Sequence, residues 1–421
     1  MEKHIKITNS FQSLHGYLRY NNFKGYEFDD ILGSKVVKLL TFGNLFLERV
    51  AIQVGRRSVI NLRRVLGVKK LYSSKAFGFF AKGYLYHYLV TQDKTYLNLV
   101  KEHLSWLENN FCKEYSGMSW GNSFDFASRG GVIPKGTPTI VWTAHISESF
   151  DHAYSVLKQE SYKNTVLDAA LFIQESLGRN EDETGVCLAY GPNESGGVIH
   201  NSNLLGAVAL LRAWKYTQNK DCFDLARKAI NWSCARINSD GSWYYGDDEK
   251  YKWIDNFHTA YNLDSLVAAQ DIGGEGLVNQ EMIDATYKFW IDNFFLEDGT
   301  PKYYCNETYP LDIQCASQAI ESLAKYSERD QEAIHLALKV ANWTIGHMQK
   351  KNGAFRFRKG RIFNNGLESI HWGQSTMLSA LGCLLYYLKK LVDKKMSNYS
   401  PQSRTRPNGL AGREESKGNL K

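Results

Sequence analysis

The chain has 421 residues, 43% of them hydrophobic and 13% aromatic, a composition that provides a large core. Its formal net charge of +7 lies mostly at the C-terminus, because nine Lys/Arg stand against three Asp/Glu between Lys389 and Lys421. The remaining body is nearly neutral, which argues against a nucleic-acid-binding protein.

Seven scattered cysteines contain no Cys-x-x-Cys pair, so they give no zinc or redox motif and fit a reducing compartment. The first residues lack the apolar run of a signal peptide. The longest apolar run, Met377 to Leu388, is too short to span a bilayer. These features predict a cytoplasmic protein.

The first ninety residues give three predictions. Residues 1–34 are polar and aromatic without a sustained period, so we expect an extension packed on the body. Residues 35–64 carry one apolar helical face, and Gly67 is a suitable C-terminal cap. Residues 74–90 form a helix that is apolar nearly all round, which indicates burial on both sides.

From residue 94 onward one unit recurs five times: an amphipathic helix, a glycine turn, a long aromatic loop and a less polar helix. The turn glycines, at positions 117, 185, 241, 299 and 353, are 54 to 68 residues apart, a spacing typical of helical-hairpin repeats. With the pair at 35–90, the copies predict an all-α (α/α)6 toroid of six helical hairpins over residues 35–392. Closure leaves no exposed end repeat, whereas the alternative, an open solenoid, needs caps.

The predicted outer helices are 94–111, 161–177, 220–237, 277–294 and 329–348, and the inner helices are 140–157, 199–216, 255–270, 312–327 and 370–389. From Asp393 the composition shifts to Ser, Arg, Asn, Gly and Pro. Such a segment buries too little apolar area to fold, so residues 393–421 are predicted to form a disordered basic tail.

The segments that lead from each outer helix to the next inner helix are long and aromatic, whereas the opposite connections are short. In a toroid the long segments gather at one rim, and long loops on one face mark a binding face. Their aromatic rings suit the faces of sugars, with Trp120, Trp243, Tyr245 and Trp253 as candidates. The alternative is that these rings only pack the loops.

Polar residues recur where the inner helices begin. Asn201, Asp255 and Asp312 fall at one aligned position, as helix capping requires, although each is also a candidate for substrate contact. His258 and Tyr261 follow Asp255 on the same helix face, and His258 has no counterpart in the other copies.

A second aligned position carries Asn203, Gln314 and Gln374, and less securely His145. Polar groups at the mouth of an apolar ring must find partners, either each other or a ligand. We therefore count these four side chains as candidates for substrate binding.

His200 and His371 stand just before their inner helices, where they act as cap-region residues or contact a ligand. Asp125 and Arg129 belong to loop 118–138, which is long, Gly-rich and mixed in charge. This loop could form a lid or contact an anion.

Arg356 and Arg358 alternate with phenylalanines, so a short strand would present both arginines on one face. They could bind the carboxylate of a uronic acid, or they could pair with nearby acidic residues.

The central hypothesis assigns catalysis to Asp255, His258 and Tyr261. A neutral His258 could accept a proton from a sugar carbon or from water, and Tyr261 could supply or relay the second proton. The competing interpretation is that Asp255 only caps its helix while His258 bonds to a loop carbonyl.

Several motifs are absent from the sequence. It has no phosphate-binding loop, no His-Glu-x-x-His zinc motif and no acidic motif of terpene chemistry, so neither a metal nor a cofactor is predicted. The run from Arg49 to Lys75 is basic and contains no acid. It is either a solvated helix face or a contact for anionic lipid or acidic glycan.

Seven segments resemble the VpsJ-like polysaccharide-biosynthesis proteins. They are Asn61–Gly67, Gly121–Phe126, Pro134–Pro138, Ile199–Gly206, Trp253–Tyr261, Tyr309–Gln314 and Trp372–Gln374. The resemblance runs through most of the chain, although Gln314 stands where that family usually has a histidine. It implies an α/α toroid, a role in surface-polysaccharide biosynthesis, and an oligosaccharide or lipid-linked glycan as partner, with Trp372 among the binding residues.

The predicted fold also resembles that of six-hairpin glycosidases, polysaccharide lyases and sugar epimerases, an analogy of fold alone. The first hypothesis is therefore a hydrolase, lyase or epimerase that acts on a glycan. The second is a non-catalytic glycan-binding or scaffold protein. A terpenoid-cyclase-like or prenyltransferase-like protein is the third, although its acidic motifs are missing.

Overall fold

The computed structural model describes residues 2–128 and 131–398 and contains mostly helices. In chain order, these are α1 Glu2–Tyr20, α2 Lys35–Thr41, α3 Leu45–Arg57, α4 Ser74–Thr91, α5 Lys94–Asn109, α6 Ile140–Leu157, α7 Glu160–Ser176, α8 His200–Thr217, α9 Lys220–Cys234, α10 Asn256–Gly273, α11 Gln280–Phe294, α12 Ile313–Tyr326, α13 Glu332–Met348 and α14 Thr376–Asn398. No helix in these residues is both long and apolar enough to cross a bilayer.

Short strands, two 3-10 turns and a π-helical turn fill the connections. The strands are β1 Phe126–Ser128, β2 Gly131–Ile133, β3 Arg179–Asp182, β4 Gly185–Leu188, β5 Leu311–Asp312, β6 Arg358–Lys359 and β7 Asn364–Asn365. They pair antiparallel as β1–β2, β3–β4 and β5–β6–β7. The turns are Asp30–Gly33 and Glu249–Tyr251 (3-10) and Ile370–Ser375 (π).

Six helices form a closed inner ring. Helices α4, α6, α8, α10, α12 and α14 each pack on the next, and α14 packs back on α4. Five of them are followed by their outer partner, α5, α7, α9, α11 or α13, while α1 packs on α14. The prediction of an all-α (α/α)6 toroid of six helical hairpins is confirmed, and the long loops all lead into the N-terminal ends of inner helices.

The sixth outer helix is α1, so the expectation that residues 35–64 fill this position is wrong. Helix α1 buries Ile7, Phe11, Leu14 and Leu18, which share one helical face, against the main core. Residues 35–57 instead form α2 and α3, which pack on each other and on the Asp30–Gly33 turn. In the sequence these four apolar residues stand among mostly polar ones, so their helical spacing was overlooked.

Helix α14 extends through Asn398, so residues 393–398 of the predicted tail are helical. Residues 399–421, which complete that tail, lie outside the described residues.

The ring closes where α4 crosses α14 at two glycines. A Cβ at Gly83 would lie 2.9 Å from the backbone oxygen of Leu378, and a Cβ at Gly382 would lie 2.5 Å from the backbone oxygen of Gly83. Any side chain at either position would force the two helices apart, because both obstacles are backbone atoms.

We expect Gly83→Ala to destabilise the protein by about 1–3 kcal/mol, because overpacking at this crossing opens the closure of the ring. Gly346→Ala in α13 is the matched control, since a Cβ there meets nothing within 4 Å and alanine favours a helix by up to about 1 kcal/mol. Urea unfolding of both variants measures the difference. Equal effects of the two substitutions would contradict this account of ring closure.

Candidate functional site

The start of α10 holds an aspartate and a histidine in direct contact. Asp255 is buried and caps the helix, because its Oδ1 accepts from the backbone N–H of His258 at 3.0 Å. Its Oδ2 lies 2.7 Å from His258 Nδ1 and accepts from Trp253 Nε1 at 3.0 Å. The same carboxylate therefore both caps the helix and orients the imidazole.

Aromatic rings surround His258 on this rim. Its ring centre lies 4.5 Å from that of Tyr245 and 3.9 Å from that of Phe257. Tyr245 in turn stacks on Trp253 at 4.6 Å. The His258 side chain remains 18% exposed, and its Nε2 makes no hydrogen bond with any described residue. With Nδ1–H directed at the carboxylate, Nε2 is free to accept a proton.

Tyr261 lies one turn deeper on α10, and its ring is 4.9 Å from that of His145 on α6. The Tyr261 hydroxyl and both ring nitrogens of His145 are buried without hydrogen-bond partners among the described residues. Burial raises the pKa of Tyr261 well above its ordinary value and lowers the pKa of His145 to about 3. Both side chains are therefore neutral polar groups that have hydrogen bonds still to make.

A buried lysine lies beside this pair and was missed by the sequence analysis. Lys75 Nζ is 3.0 Å from the ring centre of Trp372 and 4.6 Å from that of Trp142, and it makes no hydrogen bond with a described residue. Burial holds its pKa well below the ordinary value. The available signal was a lysine at the start of a helix that is otherwise apolar nearly all round.

Below Tyr261, a cavity of about 400 Å³ runs along the ring axis and reaches exposed residues at the C-terminal ends of inner helices. Lys82 Nζ lies 2.6 Å from Glu321 and 3.3 Å from Glu148. Lys325 Nζ lies 2.8 Å from Glu321 and 3.2 Å from Glu148. We call these four residues the axial charge cluster, and its members also escaped the sequence analysis.

A further carboxylate in the cavity, Asp264, has only neutral hydrogen-bond donors. Gln318 Nε2 and Ser322 Oγ each donate to its Oδ2 at 2.9 Å. Burial raises the pKa of Asp264 to about 6. Burial alone would also raise the pKa of Glu321, but Lys325 and Lys82 lower it to about 2. These two carboxyl groups of the cavity therefore lose their protons in different pH ranges.

Two predicted sugar-stacking residues belong to the core instead. Trp120 is 1% exposed and donates from Nε1 to the backbone oxygen of Leu107 at 3.1 Å. Trp243 is 2% exposed and donates to the backbone oxygen of Ser233 at 2.9 Å. Their indole groups are satisfied by backbone, which favours the alternative that these two rings pack the loops.

Two predicted amides are also structural. Asn203 is fully buried and bonds to the backbone N–H of Leu188 and to the carbonyls of Val186 and Ala229. Gln374 is fully buried and holds both the N–H and the carbonyl of Phe355 at 2.7 Å. Each amide joins a long loop to the ring, so neither is available to a ligand.

Three further candidates, Asp312, Arg358 and Asp125, form ion pairs within the protein. Asp312 caps α12 and lies 2.5 Å from Arg358 Nε, so this arginine already has its carboxylate. Asp125 lies 2.5 Å from Lys38 and accepts from the backbone N–H of Lys135, which ties its loop to α2. These contacts favour the structural alternative for all three candidates.

His371 is buried and lies 2.9 Å from Glu27, whose carboxylate also accepts from the His371 backbone N–H. His200 and Asn201 are buried at the start of α8, and each retains one unpartnered polar atom among the described residues. Burial lowers the pKa of His200 to about 4.

Two further candidates, Gln314 and Arg356, lie on the long-loop side of the ring. Gln314 is 6% exposed at the start of α12, and its side-chain amide lies close enough to Tyr261 to oppose the rise in the pKa of that hydroxyl, although it does not reach hydrogen-bonding geometry. Arg356 follows the buried Phe355, and its Nε is buried without a described partner. Arg129 lies outside the described residues.

Of the predicted site residues, the structure thus brings together Tyr245, Trp253, Asp255 and His258 at the rim, and His145, Tyr261 and Gln314 one turn below them. Trp372 joins the second group through its packing on the Phe257–Tyr261 cluster.

No family model and no curated protein matches the sequence. Solved structures do match: cellobiose 2-epimerase from Bacillus thermoamylovorans has a TM-score of 0.59 and 12% identity, over 77% of this chain and 90% of that chain. The GH76 α-mannanase of Bacteroides thetaiotaomicron has a TM-score of 0.57 and 13% identity, over 75% and 87%. An unsaturated glucuronyl hydrolase specific for heparin has a TM-score of 0.55 and 14% identity, over 76% and 86%.

These neighbours are carbohydrate-processing epimerases and hydrolases with the six-hairpin glycosidase-like toroid. At such low identity the likeness establishes the fold that this chain shares with them, and the chemistry must be argued from its own residues.

We expect Asp264→Asn to alter how stability depends on pH. Because the folded pKa of about 6 exceeds the ordinary value of 3.8, the wild type loses stability as pH rises between these values. Asparagine keeps an acceptor for Gln318 and Ser322 but cannot ionise. Relative to the wild type, the variant should therefore gain on the order of 1–3 kcal/mol between pH 4 and pH 7.

The measurement is urea unfolding at several pH values, with the exposed Asp292→Asn as the control. Parallel pH profiles for the wild type and Asp264→Asn would refute the raised pKa.

Proposed function

We propose that the protein processes a carbohydrate at the long-loop rim, with the Asp255–His258 pair as its acid–base centre. The observation that carries this proposal is the 2.7 Å contact between Asp255 Oδ2 and His258 Nδ1, which leaves Nε2 free inside an aromatic wall. This arrangement suits a histidine base oriented by a buried carboxylate. The carbohydrate-processing structures that share the fold are consistent with it.

In this mechanism His258 Nε2 takes a proton from a sugar carbon or from an attacking water. Asp255 fixes the tautomer of the neutral imidazole and stabilises the imidazolium that forms. Tyr261, one turn below, supplies or relays the second proton through its unpartnered hydroxyl. The half-buried rings of Tyr245 and Trp253 provide an apolar face for the sugar.

The reaction class is proton transfer at a glycan, as in a sugar epimerase, a polysaccharide lyase or a hydrolase. We further propose a surface-polysaccharide intermediate, an oligosaccharide or lipid-linked glycan, as the substrate. The segments that resemble VpsJ-like proteins support this choice, and a lipid-linked substrate would place the protein at the inner face of the membrane.

A non-catalytic glycan-binding or scaffold protein is the second candidate. It is favoured by the full use of the Asp255 carboxylate, which caps α10 and also bonds to Trp253 and His258. In that case the pair would serve only to hold the aromatic wall in place.

We expect Asp255→Asn and His258→Gln to lower turnover by about 10²-fold or more, because each removes one part of the proton-transfer pair. Asparagine caps helices as well as aspartate does, but its Nδ2 would face the indole N–H of Trp253, so Asp255→Asn should also lose about 1–3 kcal/mol of stability and its turnover is compared per folded protein. Asp93→Asn, at the cap of α5, is the matched control for the capping role alone. Its activity and its stability should both be preserved.

The assays are a glycan-array screen followed by turnover of the bound glycans, and complementation of polysaccharide production in cells. Urea unfolding reports the stability of each variant. Full turnover of a bound glycan by His258→Gln, His258→Ala and Asp255→Asn would refute the acid–base role. Glycan binding without turnover by the wild type would favour the scaffold function.

A further inference from the structure

The long-loop rim carries a second surface that glycan chemistry does not explain: α2, α3 and the segment up to Leu66. Of the 24 large hydrophobic side chains exposed among the described residues, twelve lie between Val36 and Val65. The most exposed are Leu39, Leu40, Phe42, Phe46, Ile60 and Val65, each with 65–85% of its surface exposed. A concentration of this kind on a soluble protein marks an interaction surface.

The exposed residues follow helical spacing, so they form a face and are not scattered. In α2, Val36, Leu39 and Leu40 are exposed, whereas Val37 and Thr41 are buried. Helical faces at spacings of three and four normally turn toward the core. This one turns away from it.

Helix α3 repeats this arrangement. Phe46, Val50 and Val54 are exposed on one side, while Ile52 and Gly55 are buried on the other. A Cβ on Gly55 would lie 3.2 Å from the Ile31 side chain, so the buried side packs closely on the body. The outward apolar face is therefore held rigidly.

Basic side chains accompany the apolar face. Lys35, Arg49, Arg57, Arg64 and Lys69 form no ion pair with a described residue, while the ion pairs of this segment use Lys38, Arg56 and Arg63. Glu48 is the only acid between Lys35 and Lys75. An apolar face flanked by unpaired cations is the pattern of a helix that lies in the headgroup region of an anionic bilayer.

We propose that the α2–α3 face docks the protein onto an anionic membrane surface. Its apolar side chains enter the boundary between headgroups and acyl chains, and its basic residues bind the lipid phosphates. The earlier expectation from the Arg49–Lys75 run invoked charge alone, whereas here the exposed apolar area supplies a second attraction.

Two other occupants fit less well. A second copy of the chain, placed on this face by a two-fold axis, would bring two sets of unpaired cations together. Residues 399–421 contain five Lys/Arg and two Glu, with only two leucines, so they offer neither opposite charge nor much apolar surface. The charge of an anionic bilayer is complementary.

Neighbouring loops extend the same surface. Asn365 Nδ2 donates to the backbone oxygen of Arg56 at 2.7 Å, which places the β6–β7 turn beside the end of α3. The tip of that turn exposes Ile362 and Phe363, at 80% and 71%. Docking would therefore bring the long-loop rim, with Asp255 and His258, toward the bilayer. In this sense the inference deepens the proposed function and rests on it for its purpose.

The test uses the full chain and sedimentation with vesicles, and it needs no glycan turnover. Wild-type protein should bind vesicles of phosphatidylcholine and phosphatidylglycerol at least tenfold more strongly than vesicles of phosphatidylcholine alone. Leu39→Ser/Phe46→Ser should weaken binding to the anionic vesicles at least tenfold at low and at high salt. Arg57→Gln/Arg64→Gln should weaken it mainly at low salt.

Leu171→Ser/Leu296→Ser is the matched control, because both leucines are exposed elsewhere on the body, and it should bind as the wild type does. Circular dichroism checks that all variants fold. No binding of the wild type to anionic vesicles, or equal binding to neutral ones, would overturn the proposal. A wild-type dimer that Leu39→Ser/Phe46→Ser converts to a monomer would assign the face to a second copy instead.

The two proposals can fail separately. If the protein turns over a glycan in solution but does not bind vesicles, only the docking proposal fails. If it binds anionic vesicles but turns over no glycan, only the proposed function fails.

Discussion

Four charges on the ring axis constrain the whole toroid. Removal of an ion from water costs several kcal/mol, and buried partners offset this cost only when their geometry is good. In the axial charge cluster, Lys82 comes from α4, Glu148 from α6, and Glu321 and Lys325 from α12. Because three inner helices supply them, all four are neutralised only when the ring is closed and in register.

Two of the remaining inner helices contact the same cluster, and the third bonds to α12 beside it. Ser379 of α14 donates to Glu321 at 2.7 Å, and Arg212 of α8 approaches Glu148 to 3.9 Å. Asp264 of α10 bonds to two side chains of α12. An apolar axis would close a ring equally well, but it would tolerate sliding of one helix past another. Paired charges define one register, and they leave the upper half of the axis to aromatic and neutral polar groups.

The sequence predicted those parts of the molecule that depend on local pattern. Each outer and inner helix of the five repeats is visible in its own apolar spacing, and Asp255 and His258 are three residues apart on one helix. Their contact therefore follows from helix geometry. The contact between Lys82 and Glu321 joins residues 239 apart in the chain, and no single-sequence pattern records such a pairing. Helix α1 was overlooked although its apolar stripe is local, and its pairing with α14, at the other end of the chain, is another contact that no single-sequence pattern records.

Residue type alone did not distinguish aromatic residues that pack the core from those that could bind a ligand. A tryptophan in a long loop looks the same in sequence whether it donates to a backbone carbonyl in the core, as Trp120 and Trp243 do, or is half-buried at the rim and donates to a carboxylate, as Trp253 does. Only the position of its partner decides, and that partner is set by the fold of the loop.

The segment from α2 to Lys70 is an insertion in this architecture. It stands between the outer helix α1 and the inner helix α4, which pack in different hairpins, and it has its own small core around Ile31 and Ile52. Since ring closure does not need it, its outer face is free of the requirement to bury apolar residues.

Yet the insertion is anchored to the rim by buried ionic contacts. Arg63 pairs with Asp30, Arg56 binds Asp29 at 2.6 Å, and Glu27 bonds to His371 at the entry to α14. A segment that only filled space would not require two largely buried ion pairs, each of which must offset its own desolvation. Such contacts hold the exposed face of α2 and α3 in a fixed position relative to the inner ring. A rigid connection between an exposed surface and the rim that carries Asp255 and His258 is what a protein needs when its substrate is presented at an interface.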